Sequence, residues 1–537
     1  METHPPVHNM PPAHGGSTLN QGRLLSDTAR LHPDGLALAR GDARLTWRAL
    51  DERVNALVAG LAGLGLGQGD PIMLHAPNSL AYVEAFFAIL KLGAVLVPTN
   101  HRLTPPEVAY VAELCGVRAI IHDSASQAHV NAAKTAVSGL THAIALDGPE
   151  DAPNGQQGLI SANLGAIGFE APVQRDDAAW YFCTSGTTGR PKAAVLTHGQ
   201  MAYIVTNHLA DLMPGISAVD RALVIAPLSH GAGIHLLVTT ARGCASILTE
   251  SPGFDPGEAL RLMEAHRVSN LFTVPTLVNL LVDHPERPQR RLDALRWMIY
   301  AGAPMYREDQ KRALEALGPV LVQYYGLAEV TGNITVLPPN MHDVDDARMP
   351  VGSCGYPRVG MEIAIRAPDG AMVPVGEQGE VCVRGAGVFA GYLNNPEANR
   401  ESFREGWFHT GDLGRVDARG LLYLTGRAKD MFISGGSNIY PREIEEVLLE
   451  HPAVEEVAVL GMPHPKWGET GVAVVVASGG AGIATDALEA LLDGRLARYK
   501  WPKRYVFWDA LPKSGYGKVP KHIIRQKLLE DWNEASS

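Results

Sequence analysis

Apolar and polar positions along the first half of the chain alternate between two periods. Over residues 47–64 the apolar side chains recur every three or four positions, and this spacing predicts an amphipathic helix. Gly65, Gly67 and Gly69 end it, and the short apolar run 71–74 reads as a strand. The pattern repeats as a helix over 79–92, closed by Gly93, and a strand over 94–97. Thr104-Pro105-Pro106-Glu107 has the form of a capping box with proline at the helix start. The helix it opens runs to about Cys115, and 119–121 follows as a strand. This βαβ rhythm predicts an α/β fold with mostly parallel strands. It continues through strand candidates at 222–226, 270–274 and 297–300. After about Gly352 the texture becomes antiparallel, with a strand at 380–384 and a hairpin over 413–425 turning at Asp417-Ala418-Arg419-Gly420. A last segment restarts the alternation: helix 441–450, strands 457–460 and 472–477, helix 486–497.

Composition narrows the function classes. Lysine plus arginine number 46 and aspartate plus glutamate 57, a net charge of −11 over 537 residues. That balance speaks against a nucleic-acid binder working through bulk positive charge. No apolar run approaches the ~20 residues of a membrane helix. The five cysteines (Cys115, Cys183, Cys244, Cys354, Cys382) are far apart and include no C-x-x-C pair. They fit a reducing compartment, so a cytoplasmic protein is expected. Residues 1–22, rich in His, Pro and Gly, read as a disordered tail. The glycines at 63, 65, 67 and 69 never give G-x-G-x-x-G and follow a helix instead of opening one, so they are helix terminators and not a dinucleotide loop.

Candidate chemistry is concentrated in five segments. Strand 181–183 runs into Thr184-Ser185-Gly186-Thr187-Thr188-Gly189-Arg190-Pro191-Lys192. Its glycines let backbone N–H groups approach phosphate oxygens, its hydroxyls donate, and Lys192 adds charge. Gln323-Tyr324-Tyr325-Gly326-Leu327-Ala328-Glu329 follows a strand, where open α/β sheets bind ligands. Glu329 there is a hard oxygen ligand suited to Mg²⁺. Thr410-Gly411-Asp412 offers a two-pronged acceptor for the hydroxyls of a ribose, and Gly426-Arg427 a nearby cation. Lys518 stands between turn residues near the end.

In this order the segments resemble the adenylate-forming superfamily of acyl- and aryl-CoA synthetases, firefly luciferase and peptide-synthetase adenylation domains. The likeness spans about residues 24–528. It implies a large N-terminal domain (23–426) of α/β subdomains with a small β-barrel-like part. A hinge at 427–430, with Lys429 at its pivot, and a small mobile α+β domain (431–537) follow. It implies an enzyme that adenylates a carboxylic acid with MgATP and passes the acyl group to a thiol. By the resemblance, Thr184, Ser185, Gly186, Thr187, Thr188 and Lys192 hold the β- and γ-phosphates and Glu329 the Mg²⁺. Gln323, Tyr324, Tyr325, Gly326, Gly302, Ala303 and Pro304 bound the adenine, with Tyr325 stacked on it. Asp412 and Arg427 hold the ribose, and Lys518 bridges carboxylate and α-phosphate.

The pattern Gly435-Gly436-x-Asn438-Ile439-x-Pro441 resembles that of coenzyme A synthetases, and Trp467 falls near the expected pantetheine arm. Tyr499, Lys500, Trp501 and Lys503 are either contacts for the CoA nucleotide or a solvated patch. The acyl pocket is expected from His230, Gly231, His235, Thr276, Ala301, Gly302, Leu327, Ala328 and Thr331, with His230 at its gate. No Arg or Lys stands in these segments, so a dicarboxylate is disfavoured, while fatty and aryl acids stay open. Alternatives to a CoA ligase are an enzyme loading a separate carrier protein and a non-catalytic nucleotide-binding module. Partners are the acid, ATP and CoA, with no nucleic acid and no membrane span; a homodimer is allowed.

Overall fold

The computed structural model describes residues 20–148, 152, 155–184, 191–303, 305–427, 429–434, 437–480, 482–513 and 519–534. A six-stranded sheet has the spatial order His142–Ala145, Ala119–His122, Pro71–His75, Val95–Thr99, Ala178–Thr184, Lys192–Thr197. It is parallel except for its last pair. A nine-stranded sheet has a parallel centre running Leu321–Tyr325, Trp297–Tyr300, Asn270–Thr273, Arg221–Val224, Ala245–Leu248, Leu36–Arg40. Antiparallel strands flank it: Thr335–Leu337 and Tyr356–Pro357 on one side, Ala43–Thr46 on the other. One continuous core joins the two sheets, with Leu96 and Trp180 from the first, Val224, Ile299 and Val322 from the second, and Phe86 and Leu237 from helices between. Burying such side chains is worth about 1.5–3 kcal/mol each, so this core fixes how the two sheets face each other.

The expected elements form for the expected reasons. The helix Trp47–Gly63 starts where the Thr46 hydroxyl accepts from Ala49 N–H, and both capping-box bonds of Thr104 and Glu107 are made. Gly65, one residue past the C-cap Leu64, takes φ of +79°, which is why a glycine ends that helix. Two expectations need correction. The tail does not extend to residue 22: Asn20 is 6% exposed and donates to the Lys91 and Ala171 carbonyls. The helix expected over 486–497 is Thr485–Leu492, because Asp493 leaves the helical region and Gly494 takes φ +72°.

Antiparallel strands follow the two large sheets. Met361–Arg366, Gly379–Gly385, Phe403–Arg404, Trp407–Val416 and Leu422–Arg427 form a five-stranded sheet. A last sheet, Ser437–Ile439, Phe432–Ser434, Gly468–Ala477, Val454–His464 with Arg504–Trp508, pairs among the described residues only with itself and has its own cores. The fold is thus α/β, with a large N-terminal part and a small C-terminal one.

One edge is closed in an unusual way. Lys192–Thr197 ends the six-stranded sheet, and the segment 390–393 lies along its outer side. Val195 N–H donates to the Gly391 carbonyl, Ala390 N–H to Val195, and Leu393 N–H to Ala193. No helix of the described residues is long and apolar enough to cross a membrane. All five cysteines are free, with the Cys115 and Cys183 sulfurs 3.9 Å apart.

Candidate functional site

The parallel strands bring their carboxyl ends to one side, and two candidate residues sit there for that reason. Thr184 ends Ala178–Thr184, and Tyr325 ends Leu321–Tyr325. Glu329 lies on the single 3₁₀ turn Ala328–Val330 that follows. Its Oε1 accepts from the Tyr392 hydroxyl at 2.9 Å and from the Thr184 hydroxyl at 3.5 Å. The residue is 8% exposed, has no ion-pair partner among the described residues, and its Oε2 accepts from none of them. A buried carboxylate with a free oxygen and no direct ion-pair partner suits a hard divalent cation. The residues present therefore fit Mg²⁺.

Tyr392 was not foreseen. It sits among turn residues, and nothing local marks it as chemical. Lys192 lies over its ring, 5.0 Å from the centroid, so this one side chain touches two candidate residues. Ser185 to Arg190 lie outside the described residues, so the expectations for Ser185, Gly186, Thr187 and Thr188 have no structural counterpart here. The same holds for Pro304, Gly435, Gly436 and Lys518.

Asp412 is 5% exposed on the strand Trp407–Val416, opposite Arg427 in the antiparallel register. Its Oδ2 accepts from the Tyr325 hydroxyl at 2.6 Å and its Oδ1 lies 2.9 Å from Arg427 Nε. Burial and then the Asp412 charge push the Tyr325 phenol well above its usual pKa, so it stays a donor. Asp412, above all, also raises the Arg427 pKa, with Tyr325, Asp430 and Glu329 adding to it. Thr184, Tyr325, Glu329, Asp412 and Arg427 thus form one electrostatic neighbourhood. Gly411 takes φ +73° in the turn that aims Asp412, and its N–H donates to Glu380 Oε1. Glu380, Cys382 and His409 hold potential ligand atoms within 4.8 Å of one another. Arg404 Nη2 already lies 3.2 Å from Glu380 and 2.6 Å from His409 Nδ1, so a cation is in place without a metal.

Tyr324 and Tyr325, neighbours in one strand, point to opposite faces. Tyr324 was expected with the nucleotide. Its ring instead stacks on Phe272 at 5.9 Å and meets His208 edge-on at 6.0 Å. A Cβ on Gly231 would come within 2.7 Å of Phe272, and one on Gly332 within 2.7 Å of Tyr324, so both glycines leave room for these rings. Gly326 is similarly crowded by Gly332.

His230 caps the helix Gly231–Thr240 with Phe182 edge-on to its ring at 5.2 Å, and its Nδ1 lies 3.0 Å from the Ser229 hydroxyl. His235 lies behind Phe272, its Nε2 3.0 Å from Asn270 Oδ1, and burial lowers it to about 4. It is a neutral core histidine and not an open pocket group. Ala301 is buried, Gly302 (φ +82°) and Ala303 are exposed, and Thr276, Leu327 and Ala328 are half-buried. Thr331 is buried with φ +56°. Gln323 Oε1 accepts from Tyr300 at 3.1 Å. Arg358, in none of the segments expected to line the pocket, reaches His208 at 3.4 Å and so joins the Tyr324 wall.

In the C-terminal part, Trp467 is 44% exposed beneath Lys466, and Lys429 is exposed. Trp501 is 5% exposed in a core and donates to the Leu496 carbonyl, while Lys500 pairs with Glu443. These two do not form an exposed patch; Tyr499 does remain half exposed.

Known proteins resemble this chain over most of its length. The AMP-binding enzyme family matches residues 25–393, and the AMP-binding enzyme C-terminal domain matches 443–518. A feruloyl-CoA synthase of Amycolatopsis sp is 38% identical over 502 residues, 93% of this chain and 97% of that protein. A long-chain-fatty-acid–CoA ligase of Mycobacterium tuberculosis is 33% identical over 514 residues, 95% and 98% of the two chains. Among solved structures, the amide bond synthetase of Marinactinospora thermotolerans superposes with a TM-score of 0.86 at 27% identity, over 95% of this chain and 99% of that one. The chain belongs to the AMP-binding, adenylate-forming enzymes.

Proposed function

We propose that this protein is an ATP-dependent carboxylic acid–CoA ligase that works through an acyl-adenylate. The observation that carries the reading is the meeting of Thr184, Tyr325, Glu329, Asp412 and Arg427 from four separate strands and a turn. Tyr325 gives a face for adenine, and Asp412 with Arg427 takes the ribose. Thr184 and Lys192 take the phosphates. Glu329 would hold Mg²⁺, which would supply positive charge against the phosphates. The acid lies beyond His230, between Gly231 and the Ala301–Gly302 and Leu327–Thr331 segments.

The carboxylate oxygen bonds to the α-phosphorus and pyrophosphate leaves. The thiol sulfur then bonds to the acyl carbon and AMP leaves. Lys518 serves the first step, and rotation at Lys429 replaces it by the Gly435-Gly436 loop and Trp467 for the second. Relatives named for feruloyl, fatty-acyl and indoleacetate CoA ligation support CoA as acceptor. The five free cysteines support a cytoplasmic location. A second reading changes only the acceptor, to an amine, and the likeness to an amide bond synthetase favours it.

The test is pyrophosphate release over a panel of acids, with ATP or GTP and with or without CoA. Acid-dependent release with ATP, and thioester only when CoA is present, is the expected result. Equal turnover with GTP would remove the adenine assignment. Absence of thioester with every acid would favour the second reading. Asp412→Asn is expected to raise the KM for ATP about 10–100-fold, the loss of hydrogen bonds to a charged acceptor. An unchanged KM would take Asp412 out of the ribose site.

A further inference from the structure

Two of the free cysteines meet. Cys115 is the last residue of the helix Pro105–Cys115, and Cys183 stands one residue before the end of the strand Ala178–Thr184. Their sulfurs are 3.9 Å apart, which is direct contact. Strand alternation brings this about. Trp180 and Phe182 pack on the core shared by the two large sheets. Tyr181 and Cys183 pack on the opposite face, against the core that holds Cys115, Val108, Val111 and Ala112. Thr184, next in the alternation, returns to the side of Phe182, and its hydroxyl donates to Glu329 Oε1. Pulling Cys183 toward the helix therefore draws Thr184 away from Glu329.

The two sulfurs differ in what can reach them. Cys115 is 3% exposed and Cys183 is half-buried, so a small oxidant meets Cys183 first. The contact with Cys183, and then burial, push the Cys115 thiol up, so it keeps its proton until a partner sulfur is ready. Burial pushes Cys244 and Cys382 up to about 12 and Cys354 up to about 11, which makes those three poor nucleophiles. The strand end at Cys183 is held on one side. Ala178–Thr184 pairs with Val95–Thr99 at Trp180 and Leu96, and from Tyr181 to Thr184 its described pairings are to Lys192–Thr197. Closing 3.9 Å to the about 2.05 Å of a disulfide takes about 2 Å of movement, shared by two side chains and this strand end. The Thr184–Glu329 contact, at 3.5 Å, is already at the limit of a hydrogen bond, so a small part of that movement breaks it.

We propose that Cys115 and Cys183 form a modification site at which a hydroperoxide makes a reversible disulfide, and that this bond weakens the hold of Thr184 on the nucleotide phosphates. The site stands on the contact of the two sulfurs; its effect on ATP rests on the ligase reading. The Cys183 sulfur attacks a peroxide oxygen and the O–O bond breaks, which leaves Cys183 as a sulfenic acid and releases water or an alcohol. The Cys115 sulfur then bonds to the Cys183 sulfur, and the displaced hydroxide takes the Cys115 proton and leaves as water. Two electrons pass from the sulfurs to the peroxide oxygens. A dithiol returns them by thiol–disulfide exchange.

The test uses the full-length protein, reduced, freed of reductant and treated with equimolar hydrogen peroxide. Remaining thiols are alkylated and the peptides mapped by mass, and MgATP is titrated calorimetrically before and after. The five thiols are expected to fall by two, with the peptides of Cys115 and Cys183 joined. The Kd for ATP should rise about tenfold, the loss of one hydrogen bond to a charged group, and return on adding dithiothreitol. Cys115→Ala and Cys183→Ala, made separately because only the first opens a space in a core, should each form no link and keep their ATP affinity through the peroxide treatment.

A map without the Cys115–Cys183 link overturns the proposal. So does a link that leaves ATP affinity unchanged, or a loss of affinity equally large in both variants. A reduced protein that does not bind ATP defeats the ligase reading instead, and the peptide map still decides whether the modification site exists.

Discussion

On the role proposed for Lys518, Lys518→Ala is expected to lower acyl-adenylate formation about 10²–10³-fold, on the magnitude typical of removing one positioned charge from a reacting centre. Two anions, a carboxylate and a polyphosphate, must approach each other, and a lysine bridging them is strongest where the charge converges. Its loss should therefore fall on the rate of adenylation more than on ATP affinity. The thiol step, started from pre-made acyl-adenylate, should survive, because in the proposed cycle the small domain has by then rotated. Single-turnover measurement of both half-reactions in wild type and Lys518→Ala decides it. Equal losses in both, or an adenylation rate left intact, would remove Lys518 from the role given to it.

Stability should collapse between pH 6.5 and 4. Burial lowers His75 to about 3, with His129, His101 and His122 adding to the shift. Burial likewise lowers His235 and His342 to about 4, and His208 well below its usual value. The direction follows from linkage. These groups are neutral in the folded chain and protonate near pH 6.5 when unfolded. Their contribution is whole above pH 6.5 and is lost as pH falls toward the folded values. At pH 5 a group with a folded pKa near 4 has lost about 1.5 units, or about 2 kcal/mol. For His75, His235 and His342 together the loss is about 6 kcal/mol, comparable to the ~5–15 kcal/mol stability of a folded domain. The melting temperature followed from pH 7.5 to 5 should fall steeply, and with four such histidines His342→Gln should reduce the slope by about a quarter. A flat profile would contradict the burial of these rings as neutral groups.

The helix and strand pattern was legible because periodicity and caps are local. Thr104 and Glu107 are three residues apart, and nothing distant is needed to form their bonds. The opposite facing of Tyr324 and Tyr325 was also available in principle, since a strand that continues through both must split them. The motif at 323–329 hid this by drawing the pair to one ligand. Trp501 looked like a surface contact because it stands between lysines; only the fold buries it. Arg358 and Tyr392 were not legible at all. Arg358 meets His208 across 150 positions, and Tyr392 meets Glu329 across 63. Such contacts are made by the packing of the sheets, and neither residue has neighbours in sequence that mark it.

The segment 390–393 also has a meaning for where this chain can be divided. It occupies the hydrogen-bonding groups of Ala193 and Val195 that a bare strand edge would offer to any other chain. An open edge of this kind is a template for intermolecular pairing. A fragment ending before residue 390 would hold both large sheets nearly complete and still tend to aggregate through that edge. A fragment ending after Arg427 carries its own cover and also keeps Tyr392 against Glu329. The safe place to cut is therefore set by four residues of irregular backbone, not by the last helix or strand of either large sheet.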